Sequence, residues 1–327
     1  MGAILLVILI VGIIILALFL ALVVRFYLGR KRADREWEHA HYPKIKDMGS
    51  VDNLTILPLI DGKSTRGDLS AEPGVSYLIR ADNTTILFDV GFNQKGEHPS
   101  PLLRNMEVLG VEPKQFDYVV ISHLHADHVG GLASQHNRTF DVSKESINLN
   151  GITALVPEPM LHATADIDIV SEPRVIAPGV VSLGPIARQM FFFGWTPEQP
   201  LAVNVKDKGI VLISGCGHPT LRRMVERAET LFEEPIYGII GGLHYPVTGS
   251  RAVALGLPAQ RILGTGKWPW DPVNKQDVED NIEYLKNRNL QMISLSPHDS
   301  CDWSIDAFRE AFRDIYRDLA VGQEIAI

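Results

Sequence analysis

The sequence is poor in cysteine, with only Cys216 and Cys301 among 327 residues. Two cysteines cannot form the disulfide framework that holds many small secreted proteins together. Their scarcity instead fits a chain that folds in a reducing compartment. There is also no internal repeat at a fixed short period. With 46% hydrophobic residues, the chain is long enough to form one large domain with a substantial core.

Positive charge is clustered in only one short segment. The formal net charge is -8, and the Lys and Arg residues cluster only in "RFYLGRKRADR", residues 25–35. The rest of the chain is therefore more acidic than the whole, which argues against nucleic acid as a partner. The basic segment is better suited to anionic lipid headgroups.

Charged and strongly polar side chains are absent from Ala3 to Val24. Twenty-two helical residues rise about 33 Å, which is enough to cross the hydrocarbon core of a bilayer. The run is long for a signal peptide, has no charged start and leads to no clear cleavage site. We therefore predict a transmembrane anchor over residues 1–24, a basic juxtamembrane spacer over 25–48 and one domain over 49–327. The basic residues predict a cytoplasmic domain on a single-pass anchor, with a signal peptide or the opposite orientation as alternatives.

From residue 53 onward, short runs rich in Val, Ile, Leu and Thr predict strands, and amphipathic segments between them predict helices. The tail "WSIDAFREAFRDIYRDL", residues 303–319, is predicted to be one amphipathic helix. Its apolar face comprises Ile305, Phe308, Phe312, Ile315 and Leu319. This order of elements predicts sheets with helices packed outside them.

The segment "VVISHLHADHVGGL", residues 119–132, concentrates His123, His125, Asp127 and His128 directly after a predicted strand. Neutral imidazole and carboxylate are ligands for zinc and similar divalent ions. One ion cannot comfortably take all four groups from so tight a turn, whereas two ions sharing a bridging water can. Such a pair lowers the pKa of the water and makes hydroxide available at neutral pH. The segment therefore predicts a site for two divalent ions.

Other histidines also follow predicted strands. His218 comes after "GIVLISGCG", His244 after "IIGGL" and His298 after "ISLSP". Ligands in sheet proteins gather at the carboxyl ends of strands, so residues that are distant in sequence can meet there.

These segments resemble the signature motifs of the metallo-β-lactamase superfamily. The order of "LTILPLIDG", "ILFDVGF", "DYVVISHLHADHVGGL", "IIGGLH" and "SPHDSC" is similar to one branch, the 7,8-dihydropterin-6-yl-methyl-4-(β-D-ribofuranosyl)aminobenzene 5′-phosphate synthase-like proteins. The resemblance implies a four-layer αβ/βα sandwich. It also implies one metal on His123, His125 and His218, a second on Asp127, His128 and His298, and support from a buried Asp89.

The sequence departs from the family pattern near the metals. Cys216 stands where many members have a bridging aspartate, so it is either a ligand of the second ion or a half-buried thiol lining the site. His136 and His162 are alternatives to His218, which we prefer. Ala126 replaces a bulky aromatic residue of the branch, and Glu72-Pro73-Gly74 replaces Glu-His-Gly, which points to a different pocket wall.

Two further segments are candidates for contact with substrate. The Gly/Pro-rich insertion at residues 245–274 is interpreted as a wall or lid, with a solvated or membrane-facing loop as the alternative. Its Arg251, Arg261, Lys267, Trp268 and Trp270 could bind an anionic, ring-bearing substrate. The patch "FFFGW", residues 191–195, could line the pocket or touch the bilayer, although core packing is the simpler account.

We predict a membrane-anchored dinuclear hydrolase in which hydroxide held by the ions attacks a phosphoester or acyl-type small molecule. Asp127 would orient the nucleophile, and His244 would protonate the leaving group or hold the substrate. Zinc, manganese and iron all suit the ligands. The first alternative is a transferase of the synthase type that releases pyrophosphate. The second is a membrane-tethered sensor that binds metal or ligand without catalysis.

Overall fold

The computed structural model describes residues 2–249, 251, 253–254, 257–264 and 266–327. Two β-sheets pack face to face, and helices cover the outer side of each sheet. This arrangement is the four-layer αβ/βα sandwich that the sequence predicts.

The first sheet has seven strands in the order β17-β1-β2-β3-β4-β5-β6. Strands β1 to β3 form an antiparallel meander, and β3 to β6 run parallel. The bounds are β1 Leu54–Ile60, β2 Ser76–Ala81, β3 Thr84–Phe88, β4 Tyr118–Val120, β5 Thr153–Val156, β6 Asp166–Ile169 and β17 Ile325–Ala326.

The second sheet has six strands in the order β16-β13-β12-β11-β8-β7, and β12, β13 and β16 are parallel. The bounds are β7 Arg174–Ala177, β8 Val180–Ser182, β11 Leu201–Val205, β12 Gly209–Ser214, β13 Ile236–Gly241 and β16 Met292–Leu295. Two hairpins lie beside the sheets, β9 Ile186–Met190 with β10 Gly194–Glu198, and β14 Val253–Ala254 with β15 Leu257–Pro258.

The strands read as continuous apolar runs because both of their faces are buried. In β1, Leu54 and Ile56 point into the core between the sheets, whereas Leu57 and Leu59 pack beneath the outer helices. This alternation follows from the two-residue period of a strand.

The helices that cover the sheets begin and end at recognisable caps. In α2, the Ser100 side chain accepts a hydrogen bond from the Leu103 N–H, and Gly110 closes the helix in the left-handed conformation. The bounds are α2 Pro101–Leu109, α3 Ala126–Val129, α4 Leu132–Asn137, α5 Leu221–Leu231, α6 Ala259–Leu263, α7 Lys275–Lys286 and α8 Asp302–Ala311, with a 3₁₀ turn at Pro113–Gln115.

The prediction of one helix over the whole tail is wrong beyond Ala311. The chain turns there, so that the Ile315 carbonyl accepts from the Ile293 N–H and the Arg317 N–H donates to the Ile293 carbonyl. The apolar residues of the predicted face still contribute to the core, but the last of them do so from a turn and an extended segment. Pairing with β16 replaces the final helical turns.

The N-terminal helix α1 runs without interruption from Gly2 to His39. It is long and apolar enough to cross a membrane, and its most apolar window is not buried against the rest of the protein. The predicted spacer is therefore helical as far as His39. Its Phe26 is fully buried, and Gly29 lies so close to Gln189 of β9 that a Cβ would collide with that side chain. The lower part of α1 is thus packed onto the domain.

Candidate metal centre

The side chains predicted to bind metal meet at the carboxyl ends of strands from both sheets. The turn after β4 supplies four of them, and the loops after β12 and β16 supply the others. Among the described residues, the ligand atoms form three groups that share Cys216, and the atoms within each group lie within 4.8 Å of one another. The first group is His123, Cys216 and His218, the second is Asp127, His128, Cys216 and His298, and the third is Cys216, His244 and Asp299.

His125 lies beside the first group, and His123, His125 and His218 together have the spacing of ligands around one ion. The distance from His123 Nε2 to His125 Nδ1 is 3.0 Å, and that from His125 Nδ1 to His218 Nε2 is 3.1 Å. Nitrogens bound tetrahedrally at about 2.0–2.1 Å from zinc lie about 3.3 Å apart. The alternatives lie elsewhere, since His136 is exposed on α4 and His162 stacks on a ring outside the cluster.

The second group is arranged around the Cys216 sulfur. His128 Nε2 and His298 Nε2 each lie 3.2 Å from Sγ, and Asp127 Oδ2 lies 3.8 Å from His128 Nε2. The sulfur thus occupies the position between the two groups. Of the two alternatives left by the sequence, this geometry favours a ligand over a thiol that only lines the site.

Asp89 orients one histidine of each group. Its carboxylate lies 2.7 Å from His128 Nδ1, and it accepts a 2.6 Å hydrogen bond from the Ser122 hydroxyl. The Ser122 hydroxyl donates its only hydrogen to Asp89. His123 Nδ1 lies 2.9 Å from the Ser122 oxygen and must therefore donate its own hydrogen to that oxygen. Both rings therefore keep Nε2 free for an ion. Gly215 is required beside this relay, since a Cβ there would collide with Ser122.

A second relay, which the sequence analysis did not assign, orients His298. Asp61 accepts a 2.7 Å hydrogen bond from the Ser296 hydroxyl, whose oxygen lies 2.5 Å from His298 Nδ1. Asp61 also accepts from the Tyr77 hydroxyl at 2.8 Å and from the His298 N–H at 3.0 Å. Burial raises the pKa of Asp61 to about 6, although these donors oppose the rise. The available signal was the position of Asp61 directly after β1.

Glu198 holds the loop that carries Cys216 and His218. Its buried carboxylate accepts three backbone hydrogen bonds, from the N–H groups of Cys216 at 3.1 Å, Gly217 at 2.9 Å and His218 at 2.8 Å. A carboxylate in this position fixes the direction in which the loop presents its sulfur and imidazole. Sequence reasoning missed it, because a single glutamate at the last position of a strand has no distinctive signal.

His244 lies at the edge of the cluster in a strained backbone conformation. Its φ is +55°, its N–H donates to Asp299 at 2.8 Å, and its ring centroid lies 4.8 Å from that of His218. Its Nε2 lies 3.2 Å from the Gln260 carbonyl, and its buried Nδ1 has no partner within the described part of the chain. Burial lowers the pKa of His244 to about 4 and raises that of Asp299 well above its usual range.

Burial sets the protonation of three ligands, and nearby carboxylates set that of a fourth. It lowers the pKa of His123, His218 and His298 well below the usual value, so these rings are neutral and able to bind a cation. For His128, burial acts in the same direction, but the nearby carboxylates, first among them Asp89, outweigh it and raise the pKa to about 9.

Two cavities meet at His218 and His244. The first, of about 150 Å³, opens beside the ligands of both groups; we call it the apolar cavity, and its walls include Phe92, Ala126, Leu132 and Phe193. The second, of about 320 Å³, is the cationic cavity, and its walls include Arg30, Arg188 and Lys267. The short side chain of Ala126 therefore helps to line open space directly beside Asp127.

Arg188 is the most enclosed cation of the second cavity. Burial, and then the nearby Arg223 and Arg30, lower its pKa to about 10. Its Nη2 donates to the Gly266 carbonyl at 3.4 Å, and its Nε has no partner among the described residues. A partly buried guanidinium with such a donor is suited to an anionic group.

The predicted substrate residues of the insertion are mostly engaged elsewhere. Arg251 pairs with Asp302 at 2.7 Å, and Lys267 pairs with Asp277 at 2.8 Å along the wall of the cationic cavity. The two tryptophans pack on helix α1 rather than on the site: Trp268 and Trp270 stack on each other at 4.8 Å, and their rings contact Phe26 and Phe19. Parts of the insertion lie outside the described residues.

The sandwich and its histidine-rich turn after β4 define a protein of the metallo-β-lactamase fold. A family model described as "Metallo-beta-lactamase superfamily" matches residues 69–143. The uncharacterized protein MJ0448 of Methanocaldococcus jannaschii is 32% identical over 200 residues, which cover 53% of this chain and 73% of that protein. The chain therefore belongs to the metallo-β-lactamase superfamily.

Two further similarities extend over more of the chain. The 7,8-dihydropterin-6-methyl-4-(beta-D-ribofuranosyl)-aminobenzene-5'-phosphate synthase of the same organism is 26% identical over 265 residues, or 68% of this chain and 88% of the synthase. The solved structure of Tm1679, described as a metal-dependent hydrolase of the beta-lactamase superfamily, has a TM-score of 0.57 at 21% identity. It covers 83% of this chain and 98% of its own. At that identity the structural likeness supports the fold alone.

Proposed function

We propose that the protein is a membrane-anchored hydrolase that uses two divalent metal ions to cleave an anionic phosphoester or acyl-type substrate. The observation that carries this proposal is that the first and second ligand groups share Cys216 beside an open cavity. The hydrogen bonds through which Asp89 and Asp61 orient the histidine rings support the proposal, because such relays accompany metal ligands in proteins.

The donor set fits zinc, and manganese or iron are the alternatives. Histidines kept neutral by burial, a carboxylate and a thiol are suitable donors, and burial keeps the Cys216 pKa well above its usual value unless a cation stabilises the thiolate. Two bound ions would supply a nucleophilic water at neutral pH and stabilise negative charge on the substrate.

Three groups of this chain have roles around the reacting bond. The Asp127 side chain is 23% exposed towards the cavity, and burial raises its pKa, so it is suited to orient the attacking water and take up its proton. His244 lies where the two cavities meet and is placed to contact the substrate or its leaving group. Arg188 and Arg30 would bind an anionic part of the substrate.

The anchor is part of the proposal. Helix α1 would cross the bilayer once through its apolar half, with Arg25 and the following basic residues at the cytoplasmic surface. The catalytic domain would then lie in the cytosol, against the inner leaflet.

The test uses the full-length protein in lipid nanodiscs, loaded in turn with zinc, manganese and iron. We expect two metal ions per chain and metal-dependent turnover of at least one member of a panel of phosphodiesters, thioesters and lactones. His218→Ala should lower the metal content towards one and abolish turnover, whereas His162→Ala should change neither. A chain that binds two ions and turns over nothing would contradict the proposed hydrolysis.

The second candidate is a transferase, favoured by similarity that extends over 88% of the synthase from Methanocaldococcus jannaschii. Its ions would activate a pyrophosphate leaving group rather than water. Pyrophosphate release that requires both a pterin pyrophosphate and a ribofuranosyl-aminobenzene phosphate would establish it. Tight binding of a ligand with no turnover in either assay would instead indicate a sensor.

A further inference from the structure

Large apolar side chains are exposed around the opening of the apolar cavity. Leu132 is 71% exposed and Phe193 is 48% exposed, and both line this cavity. Phe192 and Trp270 are also exposed nearby in the same region of the domain. A soluble substrate gives no reason to expose such side chains next to a polar metal centre, and a patch of this kind usually marks contact with a membrane or partner.

This apolar rim is continuous with the anchor helix. The ring of Phe19 in α1 lies 6.5 Å from that of Phe191 and 6.3 Å from that of Trp270. Arg25 donates hydrogen bonds of 2.7 and 2.9 Å to the carbonyls of the β9–β10 turn. Phe19 lies five residues before the end of the apolar run at Val24, a rise of about 7 Å. The rim therefore lies at the depth of the last apolar turns of α1, where aromatic residues gather at a bilayer surface.

The same turn reaches the metal centre. Phe193 follows Phe191 by two residues, and its ring centroid lies 4.9 Å from that of His125. The Phe193 side chain thus lies between the proposed metal ligand His125 and the apolar rim beside α1. A substrate lying in the outer part of the bilayer could enter the apolar cavity without crossing open water.

The charged part of the site is a separate cavity that adjoins the apolar one. Arg30 is six residues beyond Val24, about 9 Å further along α1 and away from the apolar run. It lines the cationic cavity together with Arg188, and that cavity meets the apolar one at His218 and His244. Along α1, the apolar rim therefore lies beside Phe19 and the cationic cavity lies beside Arg30.

We propose that the substrate is an anionic amphiphile drawn from the membrane to which the protein is anchored. Its acyl or alkyl chain would lie along Leu132 and Phe193, its scissile bond at the metals, and its anionic group beside Arg188 and Arg30. This inference rests on the proposed hydrolase function and adds the class of substrate. It also assigns the "FFFGW" segment two roles, since Phe191 packs on α1 and Phe193 lines the cavity.

The test measures binding rather than turnover, with full-length protein in phosphatidylcholine nanodiscs and cobalt as the bound metal. The probes are methylphosphonate and hexadecylphosphonate, which differ only in chain length and are detected by the change in the cobalt absorption spectrum. Leu132→Ser and Phe193→Ser should each weaken hexadecylphosphonate binding about 10-fold, because contact with an alkyl chain is lost. Methylphosphonate binding should be unchanged in both.

Leu161→Ser is the matched control, because Leu161 is 66% exposed but does not line either cavity. It should change the binding of neither probe, and an unaltered spectrum without probe shows that each variant has folded around its ions. Equal effects of Leu132→Ser on both probes, or no effect on either, would overturn the amphiphile inference.

The outcomes separate this inference from the proposed function. Hexadecylphosphonate binding could depend on Leu132 and Phe193 while no panel substrate is turned over. That result would refute the proposed hydrolase activity and support the amphiphile site. Turnover of short-chain substrates, with hexadecylphosphonate binding unaffected by the two substitutions, would leave the hydrolase standing and refute the amphiphile.

Discussion

Glu198 provides the sharpest test of how the metal centre is organised, because it has no direct contact with an ion in the proposed arrangement. Its Oε1 accepts from the N–H groups of Cys216 and Gly217, and its Oε2 accepts from that of His218. Glu198→Gln keeps the shape of the side chain but replaces one acceptor oxygen with an NH₂ group. At least one backbone donor then loses its partner inside the protein.

The expected cost follows from these three bonds. A buried donor without an acceptor costs about 1–3 kcal/mol, and hydrogen bonds to a charged group are about twice as strong as neutral ones. We therefore expect Glu198→Gln to lower the free energy of unfolding by about 3 kcal/mol. Because the affected loop carries Cys216 and His218, metal affinity should also fall about 10- to 100-fold, as for other groups that orient metal ligands.

Both quantities can be measured on the full-length protein in detergent micelles, by denaturant unfolding and by competition with a chelator. The control is Asp82→Asn, since Asp82 also accepts two backbone hydrogen bonds but is exposed and remote from the site. Asp82→Asn should lower the free energy of unfolding by about 1 kcal/mol or less and leave metal affinity unchanged. If Glu198→Gln binds both ions as tightly as the parent, packing alone positions the loop and the reasoning is refuted.

The remaining predictions concern the ligands and the anchor. Ser296→Ala should weaken the binding of one of the two ions about 10- to 100-fold in a chelator titration and leave the binding of the other unchanged, since only one relay is lost. Cys216→Ala should remove the thiolate-to-metal charge-transfer band of the cobalt-loaded protein; a band that persists would exclude the sulfur as a ligand. Phe26→Ala should cost about 3–5 kcal/mol of packing and hasten trypsin cleavage of α1, whereas Tyr27→Ala, at an exposed position, should not. Brominated acyl chains should quench tryptophan fluorescence, and less so in Trp270→Phe.

The fold and the metal turn could be predicted because their signals are local. The H-x-H-x-D-H pattern after a short apolar run fixes His123, His125 and His128 within one turn, and family resemblance carries the rest of the sandwich. His218 and His298 could be proposed because each follows a strand, and strand ends of one sheet share an edge.

The orienting carboxylates could not be assigned in the same way. Asp61 and Glu198 act through contacts with residues 237 and 20 positions away, respectively, and a position at a strand end is the only sequence signal that either carries. Their role depends on burial, which only the packed sheets determine. The role of Asp89 could be predicted only because its motif is part of the family resemblance.

The tryptophans of the insertion show the opposite difficulty. An aromatic pair near basic residues suggests stacking on a substrate, but the ring of Trp268 lies against that of Phe26 in helix α1, with the centroids 4.7 Å apart. Sequence reasoning treated residues 25–48 as a spacer and so offered no surface for the pair to pack on. The same omission hid the packing of Phe191.

The unbroken course of α1 has a consequence for the kinetics of the protein. Helix α1 continues without a break from the apolar run into the packed segment around Phe26 and Gly29, so an apolar run placed in a bilayer would hold the domain in a fixed orientation. Encounters with a membrane-borne molecule would then occur by lateral diffusion in two dimensions, with the opening always facing the same plane. Rates would scale with the number of molecules per unit area of membrane, so that diluting the vesicles in buffer would leave them unchanged.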